Sequence, residues 1–431
     1  MFHTYAKYFF TSVLCLSAGF QAFSQNDDIV SKRVTGENSP YSRFGIGEQR
    51  NGVNTLLRGM GSISSAYSNP FAVNTDNPAS YSALKLTTYE AGGEGGIRNA
   101  TTGDQKYSTG SATLSHLNVG IPVAKNAGIS FGLRPYSRVY YNLQDSSSEP
   151  GLGKIINEFA GSGSTSYGFV GAGGRYKGFS AGFNVGYLFG TIQTAQQLLS
   201  IDTVKAHHSA FVNATQLGGI YWKVGAMYDG ELNKKLGIRI GATLATTQTI
   251  GAERDEYWLL RNSATTTTTY DTALNHGGLE GKTTLPMTYT AGAQLIGTDK
   301  WMVGVDYTGT KWSEFRNFGA VDSVEDNYKL SIGGEYTPNM ASMTRYFDRV
   351  TYRLGLTYGK DYISLRNTDL NYYAVTAGLS LPFRRTTDRI HTALEIGRRG
   401  TTSNGLIRET FVRLALGISL NDRWFIKRRY D

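Results

Sequence analysis

From Phe411 to Leu420 the chain alternates without a break. Val412, Leu414, Leu416, Ile418 and Leu420 are apolar, while Arg413, Ala415, Gly417 and Ser419 are small or charged. Side chains of a strand point to opposite faces in turn, so a period of two gives one oily face and one polar or crowded face. The same pattern returns from residue 86 onward with no long helical stretch between. One such strand fits a soluble sandwich. Repetition over the rest of a 431-residue chain predicts a single all-β fold, a transmembrane antiparallel β-barrel whose strands show one face to lipid and the other to the lumen. A secreted β-solenoid or sandwich is the alternative.

Strands are predicted near 86–97, 107–121, 127–140, 165–176, 179–191, 211–230, 234–247, 283–296, 300–313, 327–337, 349–358, 372–382, 388–398 and 408–420. That is fourteen, an even number as bacterial single-chain barrels require. Connections after even strands are short, as at Val123 to Asn126, Lys177-Gly178 and Gly297 to Asp299; Pro338 to Asp348 is longer. Those after odd strands are long: Asn142–Ser164, Ile192–Ala210 and Gln248–Lys282, the last holding the threonine run Thr265 to Thr269. Short periplasmic turns against long outer loops are the asymmetry of this class. Fifty-two glycines and 28 tyrosines suit a curved wall with one apolar and one wet boundary.

Charge follows the alternation. Leu236, Ile238, Ile240, Ala242 and Leu244 oppose Lys235, Gly237, Arg239, Gly241 and Thr243; Arg353 and Arg413 sit likewise on the non-oily face. An arginine facing lipid at mid-depth costs about 2–4 kcal/mol, so Arg239, Arg353 and Arg413 are expected inside, paired with Asp306, Glu335, Glu395 or backbone carbonyls.

The ends read differently. Residues 1–24 have the form of a signal peptide: Lys7, the apolar run Phe9 to Phe20, then Ala22 and Ser24 before Gln25. The lone Cys15 lies within it, leaving no thiol chemistry in the mature chain. Residues 25–84 form a second unit. Tyr41 to Leu84 is loop-like, with Asn69-Pro70 and Asn77-Pro78 forbidding a long strand, yet it carries Leu56, Leu57, Met60, Ile63 and Phe71. So long an apolar loop needs a surface to pack on, and in a barrel that surface is the lumen, with Asn77-Pro78-Ala79 turning the chain into the first wall strand. The barrel occupies 85–420. A basic-aromatic tail, 421–431, follows, where Arg423, Lys427, Arg428 and Arg429 contribute locally to a net charge of +9.

Gly59-Met60-Gly61 through Asn77-Pro78-Ala79 resembles the N-terminal hatch of the FadL/TodX outer-membrane transport family, and Val305-Asp306-Tyr307 followed by Trp312-Ser313 and Phe315 is similar to one of its strands. Pro286 through Gly292 and Tyr352-Arg353-Leu354-Gly355 fit its strand openings. The resemblance spans about residues 41 to 420. It implies a fourteen-stranded barrel holding a hatch, in the outer membrane of a Gram-negative bacterium. It also implies uptake of hydrophobic molecules such as long-chain fatty acids, with lateral exit beside a kinked strand. Asn38-Ser39-Pro40-Tyr41-Ser42-Arg43-Phe44-Gly45 resembles outer-membrane proteins of the Bacteroidota, among which FadL-like barrels also serve as accessory subunits of barrel-assembly or protein-secretion complexes. The alternative function is therefore such a subunit.

No enzyme and no cofactor is expected, though a bound fatty acid, lipid or detergent molecule is. His116, His207, His208, His276 and His391 are scattered, and no ligand spacing completes a metal site. Gly92-Gly93-Glu94-Gly95-Gly96 lacks the lysine and helix of a phosphate cradle and reads as wall passing close to the hatch. Under transport, Leu56, Leu57, Met60, Ile63, Phe71 and Val73 are the candidate pocket, with Asn77 and Pro78 shaping the hatch. Arg58 either holds a ligand carboxylate or ties hatch to wall. Tyr257, Trp258, Leu259 and Leu260 form an outer capture site or bury against neighbouring loops. Under the subunit reading, Trp424, Phe425, Ile426, Lys427, Arg428 and Arg429 form a docking patch, the alternative being membrane-interface anchoring. Expected partners are outer-membrane lipid and lipopolysaccharide, a hydrophobic ligand or other envelope proteins. Nucleic acid is excluded for an exported chain with no basic-aromatic groove. Both termini are expected in the periplasm, or the N-terminus in the lumen.

Overall fold

The computed structural model describes residues 38–149, 153–200, 207–262, 270–297 and 300–424. The expected signal peptide with Cys15, the Thr265 to Thr269 run and Phe425 to Asp431 lie outside them. The wall has 14 strands. They are β1 (Thr87–Thr102), β2 (Gln105–Ala124), β3 (Ala127–Glu149), β4 (Gly153–Tyr176), β5 (Phe179–Ser200) and β6 (His207–Asn233). Next are β7 (Leu236–Ala245 continued by Gln248–Asn262), β8 (Tyr270–Leu285 continued by Thr288–Gly297), β9 (Trp301–Thr310) and β10 (Asn327–Tyr336). Last are β11 (Thr351–Leu365), β12 (Thr368–Pro382), β13 (Arg389–Arg399) and β14 (Arg408–Asp422). Neighbours pair antiparallel, and β14 pairs with β1 from Asp422↔Thr87 to Arg408↔Thr101, closing the sheet so that no edge is left open.

The alternation sorts the faces as the pattern requires. On β14, Leu414 is 49% exposed and Leu416 52%, whereas Ala415 and Ser419 are buried inward. Arg239, Arg353 and Arg413 all face the interior, where the polar lumen removes the cost of facing lipid. Arg353 meets Glu335 at 2.9 Å, Arg413 meets Glu395 at 3.8 Å, and Arg239 pairs with Asp229 and donates to the Ser68 carbonyl at 3.2 Å. Among the described residues Asp306 takes no arginine: it accepts from Ser64 N, Ser65 N and Ser65 Oγ at 2.6, 2.8 and 2.6 Å.

The long outer connections are mostly strand. β3, β4, β5 and β6 run 23, 24, 22 and 27 residues, against 10 for β9 and β10. At about 3.4 Å per residue and 45° tilt, such strands climb about 53–65 Å along the membrane normal, more than twice the apolar band of about 25 Å. Their far ends lie past that band, where no lipid demands an oily outer face, so the oily alternation stops while the backbone ladder continues, Asn142↔Ala160 and Ile192↔Gly163 included, with Ile155, Ala195, Gln197 and Ala210 still buried. Tyr257 to Leu260 accordingly sit on β7, Trp258 facing Phe211 of β6 and Leu274 of β8 in register, not in a loop. His207 and His208 likewise open β6.

Two strands are interrupted side by side, β7 at Thr246-Thr247 and β8 at Pro286-Met287, where proline has no amide to donate. Gln248 repairs the gap: its Oε1 accepts from Trp222 N at 2.8 Å and its Nε2 donates to Trp222 O at 2.9 Å.

Inside the wall lies the segment Asn38 to Leu86. Two arcs of it, Thr55 to Ser65 and Asn77 to Leu84, follow the wall in reverse strand order, and between them Val73 lies against Gly120 of β2. A side chain added at Gly417 of β14 would meet Thr55; at Gly378 of β12, Gly59; at Gly355 of β11, Gly61; at Gly333 of β10, Met60. The path continues to Ile63 at Gly304, Ser65 at Gly292 and Gly241, Asn77 at Gly225, Pro78 at Gly182 and Gly173, Tyr81 at Gly128 and Leu84 at Gly120. The wall thus presents an inward glycine on β2 through β12 and on β14, and the luminal backbone rests on that girdle. Gly92 and Gly96 do not belong to it; a side chain there would strike His116 and the Val412 carbonyl of the neighbouring strands.

Candidate functional site in the lumen

Local rules shape the luminal segment. Asn54 caps the one-turn helix Thr55–Arg58 by accepting from Leu57 N at 3.1 Å, and its Nδ2 donates to Val73 O at 2.9 Å. Asn77 caps the 3₁₀ turn Pro78–Ala83 by accepting from Ala79 N at 3.1 Å, while its Nδ2 donates to Ser65 O and, at 3.2 Å, to Ala226 O of β6. Proline at the first turn position loses no needed bond. The Asn-Pro-Ala motif is therefore a clamp between segment, wall and the entry to β1.

The predicted pocket residues fall into two buried groups and one outlier. Leu56, Leu57, Met60 and Ile63 pack with Val53, Tyr67, Ala72 and Met302 as a closed apolar cluster. Val73 joins Tyr81 and Leu84. Phe71 is partly exposed beyond the turn that Asn69 makes with its amide. Arg58 pairs with Glu94 of β1 and donates to Asn51 O at 2.7 Å, tying segment to wall. Trp312 and Phe315, the residues of the strand motif, are fully buried: Trp312 stacks on Tyr362 at 4.3 Å and lies under Gly45, whose φ of +65° suits glycine.

Above this floor the lumen is ionic. Glu48 meets Arg98 at 2.7 Å and Arg413 at 3.0 Å; Arg98 also meets Glu409 at 3.1 Å, and Arg399 is paired with Asp361. Asp76 meets Arg134 at 3.2 Å and Lys223 at 3.1 Å. Burial alone would raise both segment carboxyls, but Arg98 and Arg413 around Glu48, and Lys223 and Arg134 around Asp76, outweigh it and hold them below the usual carboxylate range. A carboxyl depressed in the folded state stabilises above its unfolded value and loses that contribution as pH falls through about 4 toward the lower folded-state value. Amide-exchange protection of residues 45–76, corrected for intrinsic rates, is expected to fall below about pH 4. Glu48→Gln with Asp76→Asn should lower protection at neutral pH and flatten that dependence. Wild-type protection unchanged down to about pH 3 would remove these pairs from the account.

A cavity of about 320 Å³ lies among these groups. Arg50, Asp76, Lys223, Lys329, Glu395 and Arg413 line it, with a bank of threonines, Thr288, Thr290, Thr308 and Thr357, on the wall. None of Leu56, Leu57, Met60, Ile63, Phe71 or Val73 does. The space can hold water and polar or charged groups; Val53, Tyr328, Tyr362 and Tyr372 are the apolar and aromatic residues in a lining that is otherwise polar, charged or glycine. Among the described residues no group of histidine, cysteine and carboxylate side chains is placed to hold a metal. His391 instead bridges Ser380 and Ser419 of the wall, at 2.5 and 3.0 Å. The sequence reading missed the glycine girdle and the role of Glu48. The first had a signal, glycine recurring on the non-oily face of successive strands.

At the ends, Trp424 lies edge-on against Tyr89 of β1, ring centres 6.0 Å apart. Phe425, Ile426, Lys427, Arg428 and Arg429 lie outside the described residues.

Solved structures of similar shape include the toluene transporter TbuX of Ralstonia pickettii, 16% identical with a TM-score of 0.53, covering 86% of this chain and 99% of that one. Another is the toluene transporter TodX of Pseudomonas putida, 14% identical with a TM-score of 0.55, covering 88% of this chain and 99% of that one. A TodX variant described as a monoaromatic hydrocarbon channel is 15% identical with a TM-score of 0.58, covering 86% and 99%. At such identities the likeness is one of fold, a closed antiparallel β-barrel. No curated protein matches the chain. The family model described as BamG matches residues 7–431, nearly the whole sequence, and the chain belongs to the BamG family.

Proposed function

We propose that this barrel is a non-catalytic accessory subunit of a multiprotein outer-membrane complex such as the barrel-assembly machinery. The observation that carries the reading is the lumen. Its buried apolar residues pack against one another in three clusters, the largest built around Tyr167, Leu188, Tyr221, Trp312 and Ile363, the cavity of about 320 Å³ is lined mainly by polar and charged groups, and the luminal segment is tied to the wall by buried ion pairs. A path for apolar molecules would need the opposite distribution. Membership of the BamG family supports the same reading. In this proposal the short-turn end and both termini are periplasmic, the apolar band of the wall meets outer-membrane lipid and lipopolysaccharide, and the Trp424 to Arg429 tail is a docking patch for another envelope protein. Aromatic and arginine side chains concentrate interface energy, which suits that tail. The style of Asn38 to Gly45 supports a Bacteroidota source.

The test is purification from the native outer membrane in mild detergent, with intact species separated by size and identified by mass spectrometry. A stoichiometric protein partner lost on deleting Trp424 to Asp431 is the expected result. A solitary barrel would sink the proposal.

The second reading is uptake of hydrophobic molecules such as long-chain fatty acids. One observation favours it beyond the shared fold: the paired interruptions at Thr246-Thr247 and Pro286-Met287 are a place where a sideways exit would open, although Gln248 ties β7 there to Trp222 of β6. A free barrel carrying fatty acid, released when Met60 and Phe71 are made charged, would favour transport.

A further inference from the structure

At the short-turn end of the lumen is a second cavity, about 350 Å³, with Lys85, Lys125, Arg175, Arg239 and Ser68 in its lining. Its chemistry is one-sided. Arg175 and Arg239 share a single carboxylate, Asp229. Arg175 spends Nε on Ser180 Oγ and Nη2 on Asp229; Arg239 spends Nε on Asp229 and Nη1 on Ser68 O. Arg175 Nη1 and Arg239 Nη2 have no partner among the described residues. Lys85 and Lys125 are exposed and have no acidic partner there either. Ser68 Oγ is buried and makes no hydrogen bond. The flanking turns add Lys177 and Lys234-Lys235. Four cations, one carboxylate and an unused hydroxyl therefore converge on one opening.

Free guanidinium edges beside free ammonium groups select an oxyanion, since charge-assisted bonds to carboxylate or phosphate are about twice as strong as neutral ones. The position decides which source. Ser68, Ser82 and Ala83 of the luminal segment floor the cavity, and Arg175 and Arg239 are inward residues of the wall, so the opening lies inside the ring of strands. A lipid headgroup belongs to the leaflet outside that ring. A carboxylate side chain on a protein beneath the barrel can enter from the aqueous side.

We infer that this cavity is the seat of an acidic segment of a periplasmic protein partner, one Asp or Glu side chain entering between Arg175 and Arg239 while neighbouring acids meet Lys85 and Lys125. The inference rests on the subunit reading and on the orientation proposed with it.

A carbodiimide joins an amine to a carboxylate in contact with it by an amide bond, so it reads this contact directly. Native outer membranes holding the full-length chain would be treated with carbodiimide, and linked peptides identified by mass spectrometry. The expected adducts join Lys85 or Lys125 to Asp or Glu of one acidic segment. Lys85→Arg with Lys125→Arg should abolish the adducts and keep the partner in the purified complex. Lys85→Glu with Lys125→Glu should lower partner recovery about tenfold, the scale for reversing charged contacts at an interface rim. Heat-dependent gel mobility checks that each variant is a folded barrel. Partner recovery within about twofold of wild type after charge reversal overturns the inference and leaves the subunit reading standing. The inference fails equally if adducts form only at outer-end lysines such as Lys106, or if charge reversal removes only bound phospholipid. A wild-type barrel that purifies alone overturns both.

Discussion

Replacing Gly355 with valine is expected to lift the luminal segment from the barrel wall. The new Cβ would fall well inside contact distance of the Gly61 amide nitrogen and the Met60 carbonyl carbon, both backbone atoms that no rotamer change can move aside. Overpacking usually costs about 1–3 kcal/mol, and a clash of backbone against side chain on both neighbours, with Gly333 holding Met60 from the next strand, belongs at about 3 kcal/mol. The barrel itself should survive, because its ladder does not depend on the segment. Limited proteolysis should then cut residues 53–66 in the variant and spare them in the wild type, with heat-dependent gel mobility unchanged. Gly174→Val is the control: that glycine faces outward with nothing within 4 Å of the added atom. Equal protease resistance in Gly355→Val and wild type would contradict the close approach.

Asp306→Ala is expected to have a comparable effect by a different route. The carboxylate accepts three hydrogen bonds from Ser64 and Ser65, all buried. A hydrogen bond to a charged group contributes about 1.5–3 kcal/mol, and a buried amide left without an acceptor carries its own desolvation penalty, so about 4 kcal/mol is the expected loss. Asp306→Asn keeps one acceptor oxygen and should lose about half as much. Ser65→Ala removes one of the three bonds, and its effect should not add to that of Asp306→Ala, as for any two partners in one network. Amide exchange of Ser64 and Ser65 is the direct readout. Unchanged exchange in Asp306→Ala would mean that the bonds are not what holds this turn.

The same residues show what a sequence can and cannot disclose. The facing of Leu414 and Arg413 was legible because membrane and lumen impose opposite polarity on neighbours. The strand ends were not: past the membrane Gln144 to Ser148 are exposed on both faces, so composition no longer reports a ladder that the backbone alone maintains. The luminal position of Leu56, Met60 and Ile63 followed from apolar residues with no periodicity to pack them. Their burial in one another, rather than along a pocket, depends on the width of the lumen, which no local pattern encodes. Asp306 was legible as an inward acid. Its partners were not, since two of them are backbone amides that any residue would supply. Glu48, Arg98 and Glu409 meet across most of the chain's length, and nothing short of the closed ring brings them together.

The course of the luminal segment has a consequence for how large this barrel can be. From Thr55 at β14 to Ser65 at β7, and again from Asn77 at β6 to Leu84 at β2, a few residues of the segment span each wall strand, so the contour length of these two arcs is a gauge of the barrel's circumference. A duplicated hairpin would widen the ring and leave the gauge short; a deleted one would leave it slack and kinked. A change in strand number would call for a matched change of a few residues in one of the two arcs, Thr55 to Ser65 or Asn77 to Leu84. Strand count and segment length are therefore one heritable dimension written in two distant parts of the chain.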